Sequence, residues 1–199
     1  MNTPWLWFVS RSNGVVAMTL FSVVMVLGMA TAGRAGSASG RVRSRAAVLR
    51  LHLQMSLVAL VFLVAHIATP ILDGYVDINL LDVFVPFQAS YAPLWVGLGT
   101  VALDLLIAVG VSSLIRARLP ARLWKGIHWA AYAMWPLALL HGLFNPGGDG
   151  SAGWLQVVLA VNVLAVLMAA LLWRLRRTDH PDTAARRAGD HRHPVRSAR

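Results

Sequence analysis

Apolar residues run in long charge-free stretches that are separated by short polar and charged clusters. These stretches cover Asn13 to Gly33, Leu51 to Leu72, Gly126 to Leu143 and Trp154 to Trp173, each close to the ~20 residues that carry a helix across a hydrocarbon core of ~30 Å. A fifth, from about Pro93 to Ile115, is apolar apart from Asp104 near its centre, and its length predicts a span despite the acid. The pattern predicts an all-α, polytopic membrane bundle of five transmembrane helices within residues 1–173. Residues 174–199 mix Arg, Asp, His, Pro and Ala without apolar periodicity and read as a disordered basic tail. The first stretch exceeds the ~7–15 residues of a signal-peptide core, and its basic cluster follows it rather than precedes it. A retained helix is expected there.

Charge gives the bundle a direction. Apart from Arg11, the 18 Lys and Arg residues fall into three groups: Arg34, Arg41, Arg43, Arg45 and Arg50; Arg116, Arg118, Arg122 and Lys125; and the tail from Arg174 onward. The opposite connections carry Asp73, Asp77, Asp82 and Asp149 with no Lys or Arg. The positive-inside rule then places the N-terminus outside and the C-terminus in the cytoplasm of a multi-pass cell-membrane protein. The net charge of +10 sits at the edges of apolar runs and forms no interleaved basic patch, so the expected partner is the lipid bilayer and not nucleic acid.

Composition removes whole classes of chemistry. Only 13% of residues are charged and 57% are hydrophobic, against roughly 25% charged in soluble domains, which excludes an ordinary soluble enzyme. The chain has no Cys, hence no disulfide, thiolate metal site or covalently attached haem. All eight acids are Asp, which excludes HExxH metalloproteases and Glu-based di-iron centres.

Four of the seven histidines lie inside apolar helices: His52 and His66 in the second predicted span, His128 and His141 in the fourth. Separations of 14 and 13 residues correspond to about 21 and 20 Å along a helix, so each helix holds one His near each membrane face. In the orientation above, His52 and His128 share the cytoplasmic level and His66 and His141 the outer one. A lone intramembrane His is commonly a polar contact between helices. Two pairs at matched depth on antiparallel helices fit instead the axial ligand set of two b haems. Fourteen residues return to nearly the same helix face, whereas 13 end about 140° away at 100° per residue. The fourth helix must therefore be distorted, with Pro136 as the expected cause.

The stretches SRSNGVVAMTL (10–20), DVFVPFQASYAPLWVGLGTVALDLL (82–106) and LWKGIHWAAYAMWPLALLHG (123–142), together with the two His pairs, resemble small bacterial members of the ferric reductase-like transmembrane domain family. That family includes the membrane parts of ferric reductases and NADPH oxidases, and the resemblance covers about residues 7–150. It implies that His52, His66, His128 and His141 ligate two b haems. Many members have six spans and a fused flavin and nicotinamide domain; here no stretch outside the spans is long enough for such a domain, so the expected donor is a separate flavoprotein or quinone.

Other polar positions carry paired readings. Arg11 fits a haem propionate partner or a snorkelling interfacial charge, and the resemblance of SRSNG favours the propionate. Asp104 fits a protonated acid hydrogen-bonded across the bundle, near Asn162, or a proton relay. Asp73, Asp77 and Asp82 read as solvated loop acids or as an attractor for a cation such as Fe(III). Phe62, Trp129 and Trp135 fall between the two His levels, as aids to electron transfer or as plain core. The leading expectation is a ferric reductase-like oxidoreductase, a di-haem cytochrome that passes electrons outward. A haem-bearing sensor or assembly subunit and a haem-free scaffold are the alternatives.

Overall fold

The computed structural model describes residues 4–32, 39–73, 77–145 and 153–178. The helices are α1 (Pro4–Ala32), α2 (Ser39–Asp73), α3 (Leu80–Phe84), α4 (Pro93–Leu114), α5 (Ala121–His128), α6 (Ala131–Phe144) and α7 (Gly153–Thr178), with a 3₁₀ turn at Arg116–Arg118 between α4 and α5. No strand occurs among the described residues. Four helices are long and apolar enough to cross a membrane, over Trp5–Thr31, Arg45–Leu72, Pro93–Leu114 and Gly153–Leu175. Proline opens α4 at its first turn, where its missing N–H has no partner to lose and its fixed φ suits the helix.

Several expected boundaries move. The stretch 126–143, expected as one helix, is two: α5 ends at His128 and α6 begins at Ala131. The interruption falls at Trp129–Ala130, upstream of Pro136, which stays within α6. Here Ala130 N–H donates to Ile127 (2.9 Å), Tyr132 N–H to Trp129 (3.0 Å) and Ala133 N–H to Ala130 (3.0 Å). Such three-residue bonds wind the chain at about 120° per residue instead of 100° and so rotate His141 relative to His128. The first helix starts at Pro4 instead of Asn13, so Arg11 lies inside it. Helix α7 continues past the expected end at Trp173 to Thr178. The rest of the tail, Arg34, Asp149 and the side chain of Asp73 lie outside the described residues.

Helices α1 and α2 pack along their length, α4 packs on α6, and α7 lies against α1. Ala17, Phe21, Ala59, Ala102 and Met134 form a buried cluster where α1, α2, α4 and α6 meet, with Phe62, Leu63 and Leu106 against it. Three of its members are alanines, which let helix backbones approach closely where lipid supplies no hydrophobic drive between helices. A second cluster of Met18, Met29, Trp135, Leu155, Leu159 and Val166 joins α1, α6 and α7. Polar bonds tie it: Trp135 Nε1–H donates to Ser22 Oγ (2.9 Å), and Asn162 Nδ2–H to Thr19 Oγ1 (3.3 Å) and Val158 O (2.8 Å). Asn162 is thus engaged by α1, not by Asp104, because α7 packs on α1. Outward faces, such as Val61 on α2 and Leu164 on α7, remain exposed and apolar, as a lipid-facing surface requires.

Candidate functional site

Helices α2, α5 and α6 run so that their histidines meet in two pairs, His66 of α2 with His141 of α6 and His52 of α2 with His128 at the end of α5. The His66 and His141 rings are 6.0 Å apart between centroids and nearly perpendicular, at 79°. Those of His52 and His128 are 6.4 Å apart and inclined at 50°. Two imidazoles bound through one nitrogen each to opposite sides of a metal ion, at a bond length of about 2.0 Å, place their centroids roughly 6.3 Å apart. Both pairs have that spacing. Among the described residues no group of three or more His, Asp or Glu comes together as a metal site, so the donor sets are pairs, suited to the two axial positions of a haem iron.

Three of the four rings are held by one repeated device. His66 Nδ1–H donates to Ser10 O (2.8 Å), His52 Nδ1–H to Val24 O (3.1 Å) and His141 Nδ1–H to Trp95 O (2.8 Å). Four residues after each acceptor stands a glycine: Gly14, Gly28 and Gly99. Helical side chains lean toward the N-terminus, so residue i+4 normally covers the carbonyl of residue i. Glycine leaves it bare, and the imidazole lies in the notch. A Cβ on Gly99 would come within 2.6 Å of the His141 ring, one on Gly14 within 2.9 Å of His66, and one on Gly28 within 3.6 Å of His52. With Nδ1 engaged, Nε2 is the nitrogen left to face a metal, and the carbonyl bond orients the ring. The glycines escaped the sequence reading. Their signal was present, since Gly14 and Gly28 repeat on α1 the 14-residue spacing of His52 and His66 on α2.

A cavity of about 370 Å³ opens at the His66–His141 level. Its walls are mostly apolar, including Met18, Phe21, Leu63 and Leu106, and Arg11 and Asn145 also line it. Arg11 donates to Asn145 O (3.4 Å) and its guanidinium stacks over Trp7 at 4.9 Å. An apolar chamber with paired imidazoles and a cation beside them fits a flat hydrophobic macrocycle that carries carboxylates. The residues present fit haem.

The remaining candidates separate. Asp82 is not a solvated loop acid: it is buried, its Oδ2 accepts the Asn79 N–H at 2.8 Å, and its carbonyl accepts Thr100 Oγ1 at 2.8 Å. It caps α3 and fastens it to α4. Asp77 stays exposed, accepting Ser90 Oγ. Of the aromatics expected between the levels, only Phe62 touches the central cluster. Trp135 points toward α1 and α7, and Trp129 is 67% exposed. Phe21 on α1, which the sequence reading missed, is buried in that cluster, seven residues from both Gly14 and Gly28.

No curated protein and no solved structure matches the chain. A family model described as ferric reductase like transmembrane component matches residues 13–139, a segment that contains Gly14, Gly28, His52, His66, Gly99 and His128. The chain therefore belongs to the ferric reductase-like transmembrane component family.

Proposed function

We infer that this protein is a di-haem b cytochrome of the cell membrane that carries electrons from a cytoplasmic donor to an acceptor outside. Membrane domains of this family generally bind haem and serve electron transfer, and the observation that carries the finer reading is the pair of facing imidazoles at each of two levels. His52 and His128 are assigned to an inner haem, His66 and His141 to an outer one, with Arg11 toward an outer propionate. In this reading α5 and α6 together form a fifth span, with the N-terminus outside and the C-terminus inside.

Haem iron supplies a one-electron ferric–ferrous couple. The protein supplies the ligands and their orientation. The glycine notches on α1 and α4 fix three imidazoles, and the apolar cluster of Phe21, Ala59, Ala102 and Met134 keeps water and ions from the space between the levels. A negative interior assists outward transfer by about 2.3 kcal/mol per electron for each 100 mV fully crossed. The exposed cations Arg45, Arg50, Arg116, Arg118, Arg122 and Lys125 surround the inner end and suit an acidic flavoprotein donor; a quinone is the other donor compatible with a membrane site. The test is a reduced-minus-oxidised spectrum with haem quantification, followed by transfer from a reductant trapped in vesicles to an outside acceptor. Two haem b per chain and outward transfer are expected; a purified chain with no haem b signal would sink the reading.

A further inference from the structure

His128 lacks what the other three histidines have. Its Nδ1 is buried with no hydrogen-bond partner among the described residues, and α4 offers it no glycine notch, since nothing lies within 4 Å of a Cβ placed on Gly110. What touches the ring is aromatic. Trp124, one turn earlier on α5, lies with its ring 5.2 Å from that of His128 at an inclination of 30°. Arg116, from the 3₁₀ turn, places its guanidinium over the Trp124 ring, 4.3 Å from its centroid. The Trp124 Nε1 is likewise buried without a partner, so no hydrogen bond fixes the indole either. Its position rests on packing and on the cation above it.

We propose that Arg116 and Trp124 are the positioning residues of His128, replacing with a cation, indole and imidazole stack the carbonyl anchor that holds the other three histidines. This rests on the assignment of His128 to the inner haem. A ligand oriented by stacking alone is less firmly directed than one with its Nδ1 anchored, so the inner haem is held on one side by a carbonyl-anchored imidazole, His52, and on the other by a stacked one. The consequence reaches the surface, because Arg116 is exposed: a change at the cytoplasmic face is two ring contacts from an iron ligand.

The test compares purified full-length wild-type protein with Trp124→Leu, Trp124→Phe and Arg116→Gln. Two readouts serve: the low-spin ferric resonances, which depend on the angle between axial imidazole planes, and the rate at which haem transfers to excess apomyoglobin. Because the two pairs differ in that angle, 50° against 79°, the wild type is expected to give two distinguishable signals. Trp124→Leu should shift the inner signal and speed inner-haem loss by about tenfold, with the outer signal unmoved and Trp124→Phe near wild type. An inner signal and loss rate unchanged in Trp124→Leu would overturn the proposal. Should that variant fail to accumulate, Arg116→Gln alters only an exposed side chain, and an inner signal unshifted there overturns it equally. Loss of neither haem in His128→Ala would instead defeat the ligand assignment on which the proposal stands.

Discussion

Gly99 and His141 are packed so tightly that a Cβ on the glycine would lie 2.6 Å from the imidazole Nδ1. The ring cannot retreat without breaking its 2.8 Å bond to Trp95 O. Gly99→Ala should therefore displace His141, at an overpacking cost of about 1–3 kcal/mol, and lose most of the outer haem. Gly14→Ala, at 2.9 Å from His66, should do the same less completely, while Gly28→Ala, at 3.6 Å from His52, meets an ordinary contact and should keep both haems. Haem-to-protein ratios measure the series. An order in which Gly28→Ala is the most damaging would show that the notches do not set the rings.

Ligand pairing across helices predicts which substitutions are equivalent. His66→Ala and His141→Ala should each leave about one haem per chain with one redox signature, and His52→Ala and His128→Ala should leave the other. Redox titration of the four variants decides the matter. Identical residual signatures in His52→Ala and His66→Ala would be fatal to the two-level assignment.

Trp135 and Ser22 join α6 to α1 through a buried bond that lies outside either His pair. Trp135→Phe removes the donor and keeps a ring. The expected loss is about 0.6–1.7 kcal/mol for a hydrogen bond between membrane helices, read as a lower thermal midpoint in detergent with both haems retained. A variant that loses haem without losing stability would place Trp135 at the site instead.

Orientation is open to direct measurement. A reporter fused after Arg199 should be active only in its cytoplasmic form. A cysteine at Asn79, beside α3, should react with an impermeant thiol reagent in intact cells. The inverted labelling pattern would reverse the direction of electron flow inferred above.

The proposed separate donor makes its own prediction. Dithionite should reduce the purified haems, and NADPH or NADH alone should not. Rapid reduction by NADPH in a preparation free of flavoprotein would reveal a nucleotide site in this chain.

Depth was legible in the amino-acid sequence, and rotation was not. Charge-free length marks where a helix enters and leaves the hydrocarbon, because each backbone group must be satisfied within the helix; hence α4 and α7 stand close to where they were expected, and α1 and α2 begin before their expected stretches. A fixed rise per residue likewise put His52 level with His128 and His66 level with His141. Which way each helix faces is another matter. A helix that is apolar all round gives no stripe from which to read its phase, so Asn162 was referred to Asp104 although it meets Thr19, and the turn of Trp135 toward Ser22 on α1 could not be read from its depth between the levels. The break at Trp129–Ala130 also depends on tertiary packing: Pro136 is the local signal for distortion, but the chain rewinds nearly two turns earlier, where His128 and His141 must face the same neighbour. The glycine notches lie on the boundary between the two. Their spacing is written in the sequence, but a glycine acquires a role only when another helix brings a ring against the carbonyl it leaves bare.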